Sequence, residues 1–292
     1  MKIVNLLGGF GNQMFEYAMY LALKNEHPEE VIKCCTRSFR GYDLHNGLEI
    51  DRVFSLHITE ASLWDLCKVA YPFLNYKTWQ VVRHILPVRK TMTRGALNIP
   101  FDFTQVTRLG NTYYDGYWQN EKNFKHIREH VLKVFSFPPF TDKANRELST
   151  QLIECNSLSC HIRRGDYLND PAWGVCTTKY YREAIKRALN ENNIDMICVF
   201  SDDISWCRKN LDIFFPNVDK KYVDWNKGKD SYKDMQLMTL CRHNIIANSS
   251  FSWWGAWLGQ QKDKVVYAPS IWMKDNILND PICDNWIRID SE

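Results

Sequence analysis

Between residues 158 and 268 the chain repeats one pattern: short apolar runs alternate with segments of helical period, joined by short connections. Strands are read at 158–162, 196–200, 221–223, 244–247 and 265–268. Between them, Tyr181, Ala184, Ile185 and Ala188 recur at i, i+3, i+4 and i+7, 206–211 and 251–258 read as shorter helices, and Ser231-x-x-Asp234 reads as a capping box opening a helix through Cys241. Strands that alternate with helices in this way form a parallel sheet covered on both faces, because each parallel crossover is long enough to hold a helix. Such sheets bind ligands outside the carboxyl ends of their strands.

The N-terminal half begins the same way. A buried strand at 3–7 precedes Gly8-Gly9-Phe10-Gly11-Asn12-Gln13, and Phe15, Ala18, Met19 and Ala22 then mark one face of a helix. Residues 56–98 show aromatics without a clean period and read as helical pieces and loops. A helix is expected over 121–134, ending before Phe137-Pro138-Pro139, where two prolines cannot continue it. That segment divides the chain into an N-terminal α/β domain, 1–139, and a C-terminal domain, 140–292, the latter opening with a helix at 142–154.

Composition removes some classes of function. The 37 basic and 34 acidic side chains are spread along the chain, so no block of charge marks a nucleic-acid tail. No run approaches the ~20 apolar residues of a membrane span, and the N-terminus is too short in apolar residues for a signal-peptide core. A cytoplasmic protein is expected, with peripheral membrane association left open. The ten cysteines are scattered without metal-type spacing and read as small buried hydrophobes. Most of the aromatic residues are assigned to the core. The densest cluster, Tyr113-Tyr114-Asp115-Gly116-Tyr117-Trp118-Gln119, is the candidate platform for a sugar acceptor, with Tyr117 and Trp118 at its centre.

Chemistry is concentrated where the strands end. After the strand at 158–162 come Arg163, Arg164 and Asp166, with His161 just inside it; after 196–200 come Asp202 and Asp203; after 244–247 come Asn248, Ser249, Ser250, Phe251 and Ser252. Guanidinium binds phosphate oxygens in bidentate fashion, so one arginine of the pair suits a diphosphate while the other anchors to the scaffold through an acid such as Asp166. An isolated Arg-Arg-x-Asp would read as a surface ion pair, and the strand-end position reverses that preference. A helix N-terminus at Ser250 offers free N–H groups to an anion, although capping alone accounts for one of the serines. Asp202 or Asp203 suits ribose or guanine N–H groups, and equally a helix cap. The first glycine loop lacks both the G-x-G-x-x-G spacing and a Walker lysine. Gly9 and Gly11 still permit close backbone approach, and Asn12 and Gln13 offer neutral amides to sugar hydroxyls, or the whole segment is a structural turn.

Taken in order, GGFGNQMFEYA, HIRRGDY, VCTTKYYREAI, FSDD and ANSSFSWWGAWL resemble the family 11 glycosyltransferases, the α-1,2-fucosyltransferases, over residues 8–258. The resemblance implies a GT-B-type fold of two Rossmann-like domains facing each other across a cleft, with the donor in the C-terminal one. It further implies GDP-fucose as donor, inversion at the anomeric carbon, no metal or other cofactor, and an oligosaccharide galactoside as acceptor. Residue by residue, it assigns His161, Arg163, Arg164 and Asp166 to the pyrophosphate motif and Asp202 and Asp203 to the guanosine turn. Ser249, Ser250 and their neighbours fall to the phosphates, and Asn12 to the loop near the transferred sugar. Animal relatives carry a membrane anchor ahead of these motifs, so the chain resembles a bacterial form acting on surface-polysaccharide precursors. Asp166, Asp170 and His161 are the candidates for a general base. A fucosyltransferase of another linkage and a non-catalytic carbohydrate- or nucleotide-binding protein are the rival readings.

Overall fold

The computed structural model describes residues 1–95, 107–108, 110–169, 174–273 and 278–291. Two compact units are present, Met1–Pro138 with Leu278–Pro281, and Pro139–Ile277 with Ile282–Glu292. Each has its own all-parallel sheet.

In the first unit β1 (Lys2–Asn5), α1 (Phe10–Glu26) and β2 (Ile32–Cys35) are followed by α2 (Ile50–Phe54), α3 (Leu63–Val69), α4 (Tyr76–Ile85), β3 (Met92–Gly95), β4 (Thr112–Gly116) and α5 (Arg128–Val134). The strand order is β2-β1-β4-β3, with Ile3 opposite Lys33 on one side and Tyr113 on the other. Because side chains alternate across a sheet, Ile3 and Tyr113 share a face, and they pack with Leu66 and Val69 of α3 and Trp79 of α4 in one apolar cluster. The region without a clean period, 56–98, therefore supplies the two helices that cover this face; residues 96–98 lie outside the described residues. The helix expected over 121–134 is broken. Asn120 caps a 3₁₀ turn at Glu121–Asn123, Phe124 leaves the helical region with φ −144°, and a second turn at Lys125–Ile127 leads into α5. Burying the Phe124 ring, whose centroid lies 6.0 Å from that of Phe15, accompanies the break.

The second unit runs α6 (Lys143–Glu154), β5 (Ser157–Ile162), α7 (Thr178–Glu191), β6 (Met196–Ser201), α8 (Ile204–Phe214), β7 (Lys220–Val223), α9 (Tyr232–Leu240), β8 (His243–Ile245), α10 (Ser250–Leu258), β9 (Val266–Pro269) and β10 (Ile287–Ile289). Side-chain caps mark several helix starts: Asp142 accepts from Asn145 N at 2.9 Å, Thr177 from Tyr180 N at 3.2 Å, and Asp203 from Trp206 N at 3.0 Å. The capping box read at Ser231 is not formed. Ser231 is already helical behind a 3₁₀ turn and makes no cap bond, and the Asp234 carboxyl accepts from Asn226 Nδ2 at 2.8 Å.

Strand order in this sheet is β7-β6-β5-β8-β9-β10, which is 3-2-1-4-5-6 in the unit's own order and so the Rossmann arrangement. The order reverses between β5 and β8. Leu158, Cys160 and Ile162 of β5 pack with α7 and α8, whereas Cys198 and Phe200 of β6 pack with α6 and α9 on the opposite face. The register sets His161 opposite Phe200, so His161 lies on that second face. The α/β class with parallel sheets expected from the alternation is the fold observed. Among the described residues no cysteine is paired, and Cys67 alone is exposed.

Candidate active site

Strand-end residues meet at the reversal point of the second sheet. β5 delivers His161, Arg163 and Arg164; β8 delivers Asn248 and Ser249 into α10; the neighbouring β6 delivers Asp202 and Asp203. His161 and Phe251 join the two sides of the reversal, their ring centroids 5.8 Å apart.

The two arginines differ in surroundings. By strand alternation Arg163 continues the face of His161 and Phe251. It ion-pairs with Asp166 Oδ1 at 2.7 Å through Nη2 and with Asp202 Oδ2 at 3.2 Å through Nη1. Arg164 turns to the other face. Its guanidinium carbon lies 4.2 Å from the centroid of the Trp206 ring on α8, and its Nε meets Asp203 Oδ2 at 3.2 Å. The backbone N–H of Arg164 donates to Asp202 Oδ1 at 2.9 Å. The scaffold role therefore falls to Arg164 with Asp203, and Asp166 is held by its partner Arg163.

Each aspartate does more than one job. Asp203 caps α8 with one oxygen and holds Arg164 with the other. Asp202 binds the strand-end loop, and a Cβ on Gly165 would stand 2.7 Å from its Oδ2, so glycine is what allows the turn to close on it. Asp166 is more than half exposed. Asp170 lies outside the described residues.

His161 is 5 % exposed, and burial, reinforced by the Arg163 cation, pushes its pKa down to about 3. Among the described residues its buried Nδ1 has no hydrogen-bond partner. This argues against His161 as the general base: an imidazole so costly to protonate takes up a second proton poorly.

At the start of α10 the expected serine turn separates into distinct roles. Ser249 is the N-cap, accepting from Phe251 N at 3.3 Å. Ser252 is buried and returns its hydroxyl to Ser249 O at 3.3 Å, and Asn248 donates to Trp272 O at 3.1 Å and Gly174 O at 3.3 Å. These two expected donor contacts are instead supports of the turn. Ser250 is half-buried in the first turn of α10, and Phe251 stands against His161.

In the first sheet the glycine loop follows the carboxyl end of β1, which lies between β2 and β4. Gly8 has φ +89°, and a Cβ there would stand 3.0 Å from Asn12 Nδ2 and 3.1 Å from the Tyr117 ring. Gly9 precedes α1, its carbonyl accepts from Asn12 N at 2.9 Å, and Gly11 is buried in the first turn. Asn12 accepts from Gln119 Nε2 at 2.7 Å. Gln13 corrects the expectation of a sugar-binding amide. Fully buried, it donates to Gly8 O and Gly47 O, both at 2.8 Å, and accepts from Glu49 N at 2.8 Å, so its amide is committed to the backbone.

Trp118 corrects the acceptor platform. It is 7 % exposed with a left-handed φ of 52°, and it fills the space above Gly95, where a Cβ would come within 2.5 Å of its ring. Tyr113 and Tyr114 belong to β4 and are likewise core, which leaves Tyr117 as the exposed ring of the cluster. Sequence reading did not reach Tyr42, His45 or Tyr76. Tyr42 and Tyr76 meet edge to face at 4.9 Å, and the His45 ring, on a left-handed backbone, lies 3.4 Å from where a Gly9 Cβ would be. No local signal marks them, since Tyr42 and His45 come from one irregular segment and Tyr76 from the distant start of α4. Glu16 was also missed. It is buried in α1, accepts from Leu7 N at 2.8 Å, and burial raises its pKa well above the carboxylate range.

Comparison with known proteins gives this arrangement its family. The model of glycosyl transferase family 11 matches residues 65–290. An alpha-1,2-colitosyltransferase of Escherichia coli is 33% identical over 99% of this chain and 98% of its own length. The chain belongs to glycosyltransferase family 11. A galactoside alpha-(1,2)-fucosyltransferase 1 of Saimiri boliviensis boliviensis is 24% identical over 86% of the family 11 chain and 63% of its own length. Among solved structures, a fucosyltransferase, NodZ, from Bradyrhizobium aligns with 87% of this chain and 90% of its own at 12% identity and a TM-score of 0.48. In this glycosyltransferase no described helix is long and apolar enough to cross a membrane. The described residues that could group around a metal ion are His27, Glu29 and Glu30, of which Glu30 already pairs with Lys2 at 3.1 Å and the N-terminal amine at 3.2 Å.

Proposed function

We propose that this enzyme transfers fucose from GDP-β-L-fucose to the 2-hydroxyl of a galactoside with inversion and without a metal ion. The observation that carries the reading is the position of Arg163: it continues the His161–Phe251 face at the reversal of a Rossmann sheet, beside the N-terminus of α10. A diphosphate docked on that helix end meets free N–H groups and a guanidinium fork, the charge that a metal supplies elsewhere. Asp166, exposed and paired with Arg163, is the carboxylate that a dianionic leaving group displaces from it.

In the transfer, the bond from the acceptor oxygen to C1 forms as the bond from C1 to the phosphate oxygen breaks, and the electron pair leaves with GDP. Arg163 binds that growing charge more tightly than the ground state. His161 is unsuited to take the acceptor's proton, and we assign that proton to the departing diphosphate. Asp202 and Asp203 hold the arginine loop and cap α8, with the remaining carboxylate surface available to the guanosine. Asn12, Tyr117, Tyr42 and Tyr76 are proposed for the sugars on the first unit.

Colitose is the second reading for the transferred sugar, favoured by the 33% identity to a colitosyltransferase along almost the whole chain. Release of GDP should be measured with GDP-fucose and with GDP-colitose, on a β-galactoside acceptor in EDTA, followed by linkage analysis of the product. The fucose reading requires turnover with GDP-fucose and an α-1,2 product. Turnover with GDP-colitose alone selects the second reading, and loss of all turnover in EDTA that manganese restores overturns metal independence.

A further inference from the structure

The covering helices of the first unit have an outward surface that their packing does not explain. On α4, Trp79 faces the core at 6 % exposed and Arg83 stacks over it at 4.9 Å. Val81 and Ile85, four apart and so on one face, are 56 % and 73 % exposed, and exposed Lys77 continues the same row. On α3, Leu66 and Val69 face the core, while Trp64 is 79 % exposed with Lys68 one turn on. A surface helix of a globular unit usually presents polar residues outward. Both helices pack on the one cluster around Ile3 and Tyr113, so both outward faces look away from the same side of the sheet. Arg89 Nη1 donates to Cys67 O at 3.1 Å and Thr91 Oγ1 to Val69 O at 2.6 Å, which brings exposed Val88 and Lys90 to the end of α3.

Charge on this surface has one sign. From Ser62 to Gly95 the basic residues are Lys68, Lys77, Arg83, Arg89, Lys90 and Arg94. The single acid, Asp65, is 9 % exposed and neutralised by Lys33 at 2.8 Å. Arg83 is taken up by the buried Asp115 at 3.3 Å, and large apolar side chains interspersed with the exposed Lys68, Lys77 and Lys90 match an interface that is apolar beneath and anionic above.

We propose that the face formed by α3, α4 and the 86–90 turn docks the enzyme flat onto an anionic phospholipid surface. Trp64, Val81 and Ile85 enter the headgroup boundary, and Lys68, Lys77 and Lys90 lie over the headgroup charges. This docking is independent of which sugar is transferred, since none of these side chains belongs to either strand-end cluster.

The test is flotation of the full chain with vesicles of phosphatidylcholine alone or with about a third phosphatidylglycerol, at low and high salt. Binding should require phosphatidylglycerol and fall with salt. Each lysine contributes about fivefold to the partition, so Lys68→Gln/Lys77→Gln/Lys90→Gln should weaken it about a hundredfold. Val81→Ser/Ile85→Ser should weaken it by at least about tenfold with melting temperature and GDP release on a soluble acceptor unchanged. No flotation of the parent chain on anionic vesicles overturns the proposal, and so does equal flotation on neutral ones. If light scattering shows a dimer that the serine variant turns into monomer, the face is a contact between copies and the membrane proposal fails.

Discussion

Arg163 and Arg164 are adjacent in sequence and opposite in role, because a strand turns successive side chains to opposite faces. Arg163→Ala should lower kcat by on the order of a hundredfold or more, with some loss of melting temperature as the ion pairs to Asp166 and Asp202 are released, and Arg163→Lys should also be impaired in kcat, since the fork is lost with the charge kept. Arg164→Ala loses a cation–π contact and an ion pair that also restrains the Asp203 cap, about 1–3 kcal/mol of stability, with a smaller change in kcat. Equal kcat losses at both positions, or none at either, would remove Arg163 from the leaving-group site. His161 gives a second expectation at this scale. Its folded pKa of about 3 lies below that of an unfolded histidine, so the unfolded chain binds more protons between these values. Stability is therefore full above about pH 6.5 and drains as pH falls towards 3. Melting temperature followed from pH 7.5 to about 5 should fall less steeply in His161→Gln than in the parent, and parallel slopes would refute the assignment.

Among the elements, β4 shows how a correct motif can carry a wrong role. The aromatic cluster at 113–119 is dense because it contains a buried strand and its exit, with Gly116 at φ +142° passing close to Gly95 and Trp118 seated over that glycine. Trp118→Ala should cost about 3–5 kcal/mol of stability, as for other buried large aromatics. Tyr117→Ala should instead raise the acceptor KM with little change in melting temperature. The reverse pattern, an unmelted Trp118→Ala with a raised KM, would restore Trp118 to the acceptor platform. α9 makes a related point. Ser231 and Asp234 have capping-box spacing, yet a 3₁₀ turn starts the helix earlier and Asn226 takes the aspartate, a contact from outside the helix that spacing alone does not disclose.

For the whole molecule, two units with separate sheets and separate strand-end clusters predict a divided response to ligands. GDP should stabilise the unit that contains Arg163. At a hundredfold excess over Kd this is about 2.7 kcal/mol, or roughly 5–10 °C for a unit of this size. Calorimetry with GDP, with and without EDTA, checks it: one transition should move and the chelator should make no difference. A shift that requires added divalent cation would replace the arginine with a metal as the diphosphate's main partner.

Much of this molecule was legible in the sequence because its physical cause is local. The alternation of apolar runs and helical periods requires parallel strands, and the ends of β5 and β6 fall where Arg163 and Asp202 stand in the chain, while β8 ends at Ile245, short of the 244–247 read from the sequence. The caps at Asp142 and Asp203 follow from side chains three residues from the N–H groups they satisfy. Tertiary structure decided the rest, where the partner lies far along the chain. Gln13 offers its amide to Gly47 and Glu49, Trp118 finds its space over Gly95, and Tyr42 meets Tyr76. An amide, an indole or a phenol has the same local propensity whether it binds a ligand or the backbone. Only the fold determines which of those two the nearest unsatisfied group belongs to.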